Sequence, residues 1–236
     1  MVMGFQGAII AAGRGERLRA SSGIAIPKPL VELDGVPLLA RQASAMLASG
    51  AEDVLAVVNS ETASIARDKP FPSGLKIVVR DTASSMESLF ALGESLRPGH
   101  FLLATVDAVL PAAEFRRFVE QARKLAADGA CDGVLAVVRW RGDHRPLFTE
   151  VTDSGLITSL GQRETSLVTA GVYWLPTGIF RLVAAARERR LAAMRSFLQM
   201  LVEEKFRLGA VEVEGAIDID EASDLEAARR MFVGQQ

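Results

Sequence analysis

The sequence predicts an α/β fold in which a mostly parallel sheet is covered by helices on both faces. Two observations carry that expectation. Short apolar runs alternate with helix-like stretches through the first half of the chain, the pattern of parallel strands joined by crossover helices. The first run, Ala8-Ile9-Ile10-Ala11-Ala12, passes directly into a glycine-rich loop, as a buried parallel strand does at its carboxyl end. Sheets of this kind bind ligands at the carboxyl ends of their strands, so the residues following each strand are the candidates for function.

The loop after the first strand is Gly13-Arg14-Gly15-Glu16-Arg17-Leu18. Gly13 and Gly15 allow a tight turn and bring bare N–H groups close to an anion. Arg14, Arg17 and Lys28 add positive charge nearby, and backbone donors with three cations suit a triphosphate. Two other phosphate loops are excluded. A dinucleotide fingerprint needs a third glycine at position 18, which is Leu, and an acid after the second strand, which ends at Asn59. A P-loop needs Gly-Lys-Ser/Thr, and none lies near this strand.

Further strands are expected at 54–58, 75–79, 101–105 and 134–138, with helices at 37–49, 61–68, 85–96 and 112–128. From residue 140 the rhythm changes. Residues 146–151 and 155–160 read as strands joined by a turn at Thr152-Asp153-Ser154-Gly155. Another strand follows at 168–175, then a helix opening at Pro176-Thr177 and helix-like sequence over 189–207. Strands at 210–213 and 216–219 lead to a last helix near Glu221. No repeat, low-complexity tract or linker interrupts the chain, so one domain is expected over 1–236. Within it, about 1–139 are expected as a nucleotide-binding half and about 140–236 as a substrate-side, acceptor-binding half.

Composition narrows the function classes. The 236 residues are 49 % hydrophobic and 24 % charged, enough apolar material for a core. A net charge of −2 argues against nucleic acid as a partner, because no basic excess exists to release counterions. The basic residues near the loop therefore read as a local anion site. A single cysteine, Cys131, excludes a disulfide framework and fits a reducing, cytoplasmic setting. The N-terminus lacks a charged leader region, and no run is long enough to span a membrane.

Residues 10–18, Ile-Ala-Ala-Gly-Arg-Gly-Glu-Arg-Leu, followed by Pro27-Lys28-Pro29-Leu30, resemble a known family signature. In nucleotidyltransferases of the sugar-nucleotide pyrophosphorylase and cytidylyltransferase type, L-A-A-G-x-G-x-R-L precedes P-K-P-L. Only Ile10 departs from it, and Val31 to Leu38 continue the pattern. The resemblance implies a Rossmann-like three-layer α/β/α fold with a mostly parallel mixed sheet, of the nucleotide-diphospho-sugar transferase (GT-A-like) type. It also implies an NTP, a phosphorylated acceptor and Mg²⁺. Arg14 and the amides of Gly13 and Gly15 would hold the β- and γ-phosphates, and Lys28 would offset charge growing on the α-phosphate. Backbone groups near Ala11, Ala12 and Arg80 would read the base.

Asp107 ends the fourth strand, where a carboxylate beside a phosphate site is placed to hold Mg²⁺; capping the turn before Pro111 is its structural alternative. Relatives show Gly-Asp there, so Val106 is a departure. Residues 216–225 resemble the late D-[IT]-[DG]-T-x-x-[DS]-L motif, which puts Asp218 on the second metal position and Asp220 at the next alternating place. Asp224 falls in the first turn of the last helix, where its charge stabilises the helix. Thr169-Ala170-Gly171-Val172-Tyr173 is similar to the family's T-G-G-Y segment lining the acceptor pocket, so Gly171 and Tyr173 are acceptor candidates. Gln162-Arg163 stand where relatives carry Glu-Lys, which would set Arg163 on the acceptor phosphate.

Residues 80–89 match the family's base-reading segment poorly; the serine-rich run looks more like cytidylyltransferases for small alcohol phosphates. Thr82, Ser84, Ser85 and Ser88 would wall a pyrimidine, while Ser84 and Ser85 equally suit a helix cap. His100 and His144 lie far from any Cys/His cluster, and Met194 and Phe197 recur at helical spacing, as core packing or a subunit contact in a homo-oligomer does. Arg139, Arg141 and Arg145 around Trp140 read as a solvated loop. The expected activity is nucleotidyl transfer to a sugar 1-phosphate. Cytidylyl transfer to a small alcohol phosphate, a molybdopterin-type transfer, and a non-catalytic nucleotide sensor are the alternatives.

Overall fold

The computed structural model describes residues 4–67, 69–142, 146–161 and 163–232. His144, Arg145 and Gln162, which entered the sequence reading, lie outside the described residues, as do residues 1–3. The elements run β1 (Phe5–Ala11), α1 (Glu16–Ser22), β2 (Glu32–Leu33), β3 (Val36–Pro37), α2 (Leu38–Ala48), β4 (Ala51–Val58), α3 (Ser60–Ala66) and β5 (Leu75–Val79). Then come α4 (Ser85–Gly93), β6 (His100–Thr105), β7 (Ala108–Val109), α5 (Ala112–Ala127), β8 (Gly133–Arg139), β9 (Phe148–Val151) and β10 (Ile157–Gly161). The chain continues through β11 (Leu167–Pro176), α6 (Val183–Glu188), α7 (Met194–Glu203), β12 (Leu208–Glu212), β13 (Ile217–Asp218) and α8 (Ala222–Phe232).

A single nine-stranded sheet runs through both halves of the chain. Strands β5, β4, β1 and β6 lie side by side and parallel. β11 joins β6 antiparallel, β8 joins β11 antiparallel, and β12 closes that side parallel to β8. The β9–β10 hairpin extends the sheet beside the start of β11. Alternation along β1 feeds two cores. Ile9 and Ala11 join Leu39, Met46, Phe118 and Leu225 on the face covered by α2, α5 and α8. Ala8 and Ile10 join Met86, Leu89, Phe197 and Leu201 on the face covered by α4 and α7. The expected three-layer α/β/α fold with a mostly parallel mixed sheet is what the chain adopts. No helix among the described residues is long and apolar enough to cross a membrane.

Three local expectations are corrected. The segment after the glycine loop is helix α1, framed by Gly15 and Gly23, both at positive φ; the Gly23 N–H closes it onto the Arg19 carbonyl. Seven residues are too few to show a helical period. The helix expected over 189–207 begins only at Met194. Arg190 takes φ 52, and the Leu191 N–H reaches back to the Ala186 carbonyl, which ends α6 in a left-handed turn. The strand expected at 216–219 is the two-residue β13, and it pairs with β7 rather than with the main sheet.

Candidate active site

A cleft of about 1520 Å³ opens at the carboxyl ends of β1 and β6 and is bordered by both halves of the chain. Its floor is the glycine loop. Gly15 starts α1 at φ 63, and a Cβ there would lie 2.8 Å from the Lys28 Cβ, so only glycine fits. Buried Asn59 pins the loop: its side-chain amide donates to the Ala12 carbonyl at 3.1 Å, while its oxygen caps α3 through the Thr62 N–H at 2.8 Å. Ala11, Ala12, Gly13, Arg14, Gly15 and Arg17 all line the cleft, and the loop turns Gly13 and Arg14 outward to solvent.

Opposite the loop stand three carboxylates. The turn after β6 carries Asp107 and is held from beneath by buried Gln42, whose amide donates to the carbonyls of Thr105 and Ala108. Pairing of β13 with β7 sets Asp218 against Ala108, and the Ile219 N–H donates to the Asp107 carbonyl at 3.0 Å. Asp107, Asp218 and Asp220 thereby present ligand oxygens within 4.8 Å of one another. Lys28, 8 % exposed, reaches into this group. Its Nζ donates to Asp107 Oδ2 and to Asp220 Oδ1, each at 2.7 Å. Arg17 pairs with the other oxygen of Asp220, also at 2.7 Å.

The electrostatics follow from that packing. Burial works against the Lys28 charge, but the carboxylates of Asp107 and Asp220 outweigh it and raise its pKa. Burial likewise opposes ionisation of Asp107, and the Lys28 ammonium overcomes it, holding that carboxyl below its usual range. Asp218 is different. Its side chain faces the open cleft yet stands deep between the walls, so repulsion from Asp107, reduced solvation and repulsion from Asp220 push it up to about 8. A cluster with this surplus of negative charge suits a hard divalent cation on oxygen ligands. Asp107 and Asp218 have oxygens to offer it, whereas both oxygens of Asp220 already hold cations.

The acceptor side is built on β11. Gly171 sits at φ 71 where the pairing with β8 shifts, and a Cβ there would come within 2.5 Å of the Ala108 Cβ and 2.7 Å of Thr105 Oγ1. Tyr173 is buried at the cleft wall, and burial pushes its hydroxyl up to about 12 despite a hydrogen bond with Thr169. Met194, Arg195 and Leu198 of α7 complete this wall. Met194 belongs to the core, as its spacing suggested, and both it and core residue Leu198 border the cleft as well. Arg195 escaped the sequence reading because the apolar period of α7 masked it.

Thr82, Ser84, Ser85 and Ser88 line the wall next to the glycine loop. Their hydroxyls also serve the fold. Ser84 caps α4 by accepting from the Glu87 N–H, Thr82 bonds Ser88 at 2.6 Å, and Ser85 accepts from the Met194 N–H. Arg80 and Arg163 are not among the residues around the cleft. The Arg80 guanidinium donates to the Val79 carbonyl, and exposed Arg163 pairs with Glu150 at 2.9 Å. Asp224 holds the start of α8, accepting from the N–H groups of Asp220 and Glu221.

Comparison with known proteins shows the family and the fold. Residues 7–203 match the family model of the MobA-like NTP transferase domain. No curated protein sequence is a significant match. Among solved structures, the inositol-1-phosphate CTP transferase from T. maritima superposes with a TM-score of 0.76 at 18 % identity, covering 98 % of this chain and 97 % of that one. The UTP-bound UGPase from Acinetobacter baumannii gives 0.81 at 14 % identity, covering 99 % and 95 %. A putative glucose-1-phosphate thymidylyltransferase from Bacillus anthracis gives 0.80 at 14 % identity, covering 96 % and 94 %. At these identities the likeness carries the fold.

Proposed function

The chain belongs to the MobA-like NTP transferase domain family and is a nucleotidyltransferase; on that premise we propose that it moves a nucleoside monophosphate from a pyrimidine NTP to a sugar 1-phosphate, releasing pyrophosphate. The observation that carries the reading is Lys28, seated between Asp107 and Asp220 directly beside the glycine loop, with the Asp218 carboxylate on the same cluster. An acceptor phosphate oxygen attacks the α-phosphorus in line, the bond from the α-phosphorus to the bridging oxygen breaks, and pyrophosphate leaves with that electron pair. The attacking oxygen is already anionic, so no general base is needed.

Catalysis on this reading is positioning and charge stabilisation. Amides of Gly13 and Gly15 with Arg14 receive the β- and γ-phosphates. Lys28, retained by Asp220, turns a donor to the α-phosphate when Asp107 is engaged elsewhere. Mg²⁺ on Asp107 and Asp218 would neutralise charge on the α-phosphate and the departing pyrophosphate. The small hydroxyls of Thr82, Ser84, Ser85 and Ser88 support a pyrimidine base. They are equally compatible with a second reading, CTP with a small alcohol phosphate, because hydroxyls do not choose between cytosine and uracil.

Mass spectrometry of reactions pairing CTP, UTP, ATP or GTP with sugar 1-phosphates and small alcohol phosphates tests the assignment. A pyrimidine NDP-sugar is the expected product. A CDP-alcohol supports the second reading, and turnover confined to purine nucleotides overturns both and brings the molybdopterin-type transfer forward.

A further inference from the structure

The wall of the cleft formed by β11 and α7 presents one charged side chain among the described residues, Arg195. Its other lining groups include Val168, Thr169, Tyr173, Met194 and Leu198, which are neutral. Cations of the loop side are engaged there: Arg17 on Asp220, Arg19 on Glu61, and Lys28 on Asp107 and Asp220. Arg163, expected on the acceptor phosphate, lies off the cleft with its side chain 86 % exposed and paired to Glu150.

The backbone at Arg195 is firmly seated. α7 sends Phe197, Leu198 and Leu201 into the core, and Phe197 meets Phe90 of α4 edge-on at 5.0 Å. The Met194 N–H donates to Ser85 Oγ at 3.3 Å, which ties the first turn of α7 to the first turn of α4. A cation in the first turn of a helix opposes the helix dipole, so helix stability does not account for an arginine at this position. Tyr173 relates it to the carboxylate cluster. The Tyr173 hydroxyl feels the negative charges of Asp218 and Asp107 and the positive charge of Arg195. Cluster and guanidinium thus stand within electrostatic reach of one ring on the acceptor wall.

We propose that Arg195 receives the phosphate of the acceptor. The assignment rests on the proposed transfer to a phosphorylated acceptor and names the side chain that holds it. An attacking phosphate has to approach the α-phosphorus past three carboxylates and a triphosphate, all of one sign, and neutral side chains do nothing to offset that repulsion. A guanidinium fork bonds two phosphate oxygens at once and stays charged, which leaves a third oxygen to attack. An unphosphorylated sugar or alcohol makes no use of such a group and is excluded as acceptor.

Calorimetry tests the assignment on the full chain, saturated with Mg²⁺ and the α,β-methylene analogue of whichever NTP binds most tightly. Glucose 1-phosphate and inorganic phosphate are the probes. Both should bind the parent complex, and Arg195→Gln should weaken both roughly ten- to a hundredfold, the scale of lost bonds to a charged group. Affinity for the nucleotide analogue and the thermal melt should stay as in the parent. Arg195→Lys should recover part of the loss, because it keeps the charge without the fork. Unchanged probe affinity in Arg195→Gln overturns the proposal, as does a loss seen in Arg163→Gln instead, or a parent complex that binds neither probe. Arg195-dependent binding of the probes with no pyrophosphate released from any acceptor upholds the phosphate site and defeats the transfer reading.

Discussion

Lys28 joins two carboxylates while almost wholly buried, so on the proposed reading one side chain serves both the fold and the reaction. Lys28→Ala should cut turnover by roughly 10²–10³, the scale for deleting one transition-state donor. It should also lower the melting temperature of the metal-free protein, because unpaired carboxylates remain behind; steady-state kinetics and a thermal melt read the two effects separately. Asp218→Asn should do the opposite to metal-free stability. Its folded pKa of about 8 lies above the usual carboxyl value of about 3.9. The folded state therefore binds the extra proton between those values, and stability falls as pH rises through that window. Melted in EDTA at pH 8, Asp218→Asn should be the more stable protein, and Mg²⁺ should stabilise the parent but not the variant. Asp220→Asn releases two cations from the cluster and should slow turnover while changing Mn²⁺ affinity less than Asp107→Asn does, as calorimetry would read. The motif order exposed Arg14, Lys28, Asp107 and Asp218 in the sequence, since each sits in a short contiguous signature. The grip of Asp220 on Lys28 spans 192 positions, and no local pattern reports such a contact.

At the scale of elements, two short strands do the assembling. β7 and β13 are each two residues long, yet their pairing is what brings the turn of Asp107 to Asp218. Gly171 supports the same turn from β11. Gly171→Ala forces a Cβ against Ala108 and Thr105 and fixes alanine in a left-handed conformation. It should cost about 1–2 kcal/mol from the backbone alone, and weaken metal binding by displacing Asp107. Unchanged Mn²⁺ affinity in a destabilised variant would separate the turn from the metal cluster. Elements with a clear period were legible: α2, α5 and strands β4, β5, β6 and β8 fall within a few residues of their expected bounds. α1, the break between α6 and α7, β7 and its pairing with β13 were not, because each is decided by a positive-φ residue or a tertiary pairing rather than by a run of side chains.

Over the whole molecule, buried parallel strands announce themselves as unbroken apolar runs, so the α/β class and the position of the cleft followed from sequence. The strand order did not, since β11 enters beside β6 only through contacts distant in the chain. Nor did the placing of Arg163 on Glu150, away from the cleft. On the proposed reading the loop, Lys28 and the carboxylate cluster act together in nucleotidyl transfer. Pyrophosphate release measured with Mg²⁺, the NTP panel and the phosphorylated acceptors tests it most directly. Pyrophosphate should appear in equal amount to nucleotidylated acceptor, be abolished by EDTA, and fall roughly a hundredfold or more in Lys28→Ala, the scale for one lost donor. Tight, Mg²⁺-dependent NTP binding with no pyrophosphate from any acceptor, or turnover undiminished in Lys28→Ala, would contradict it.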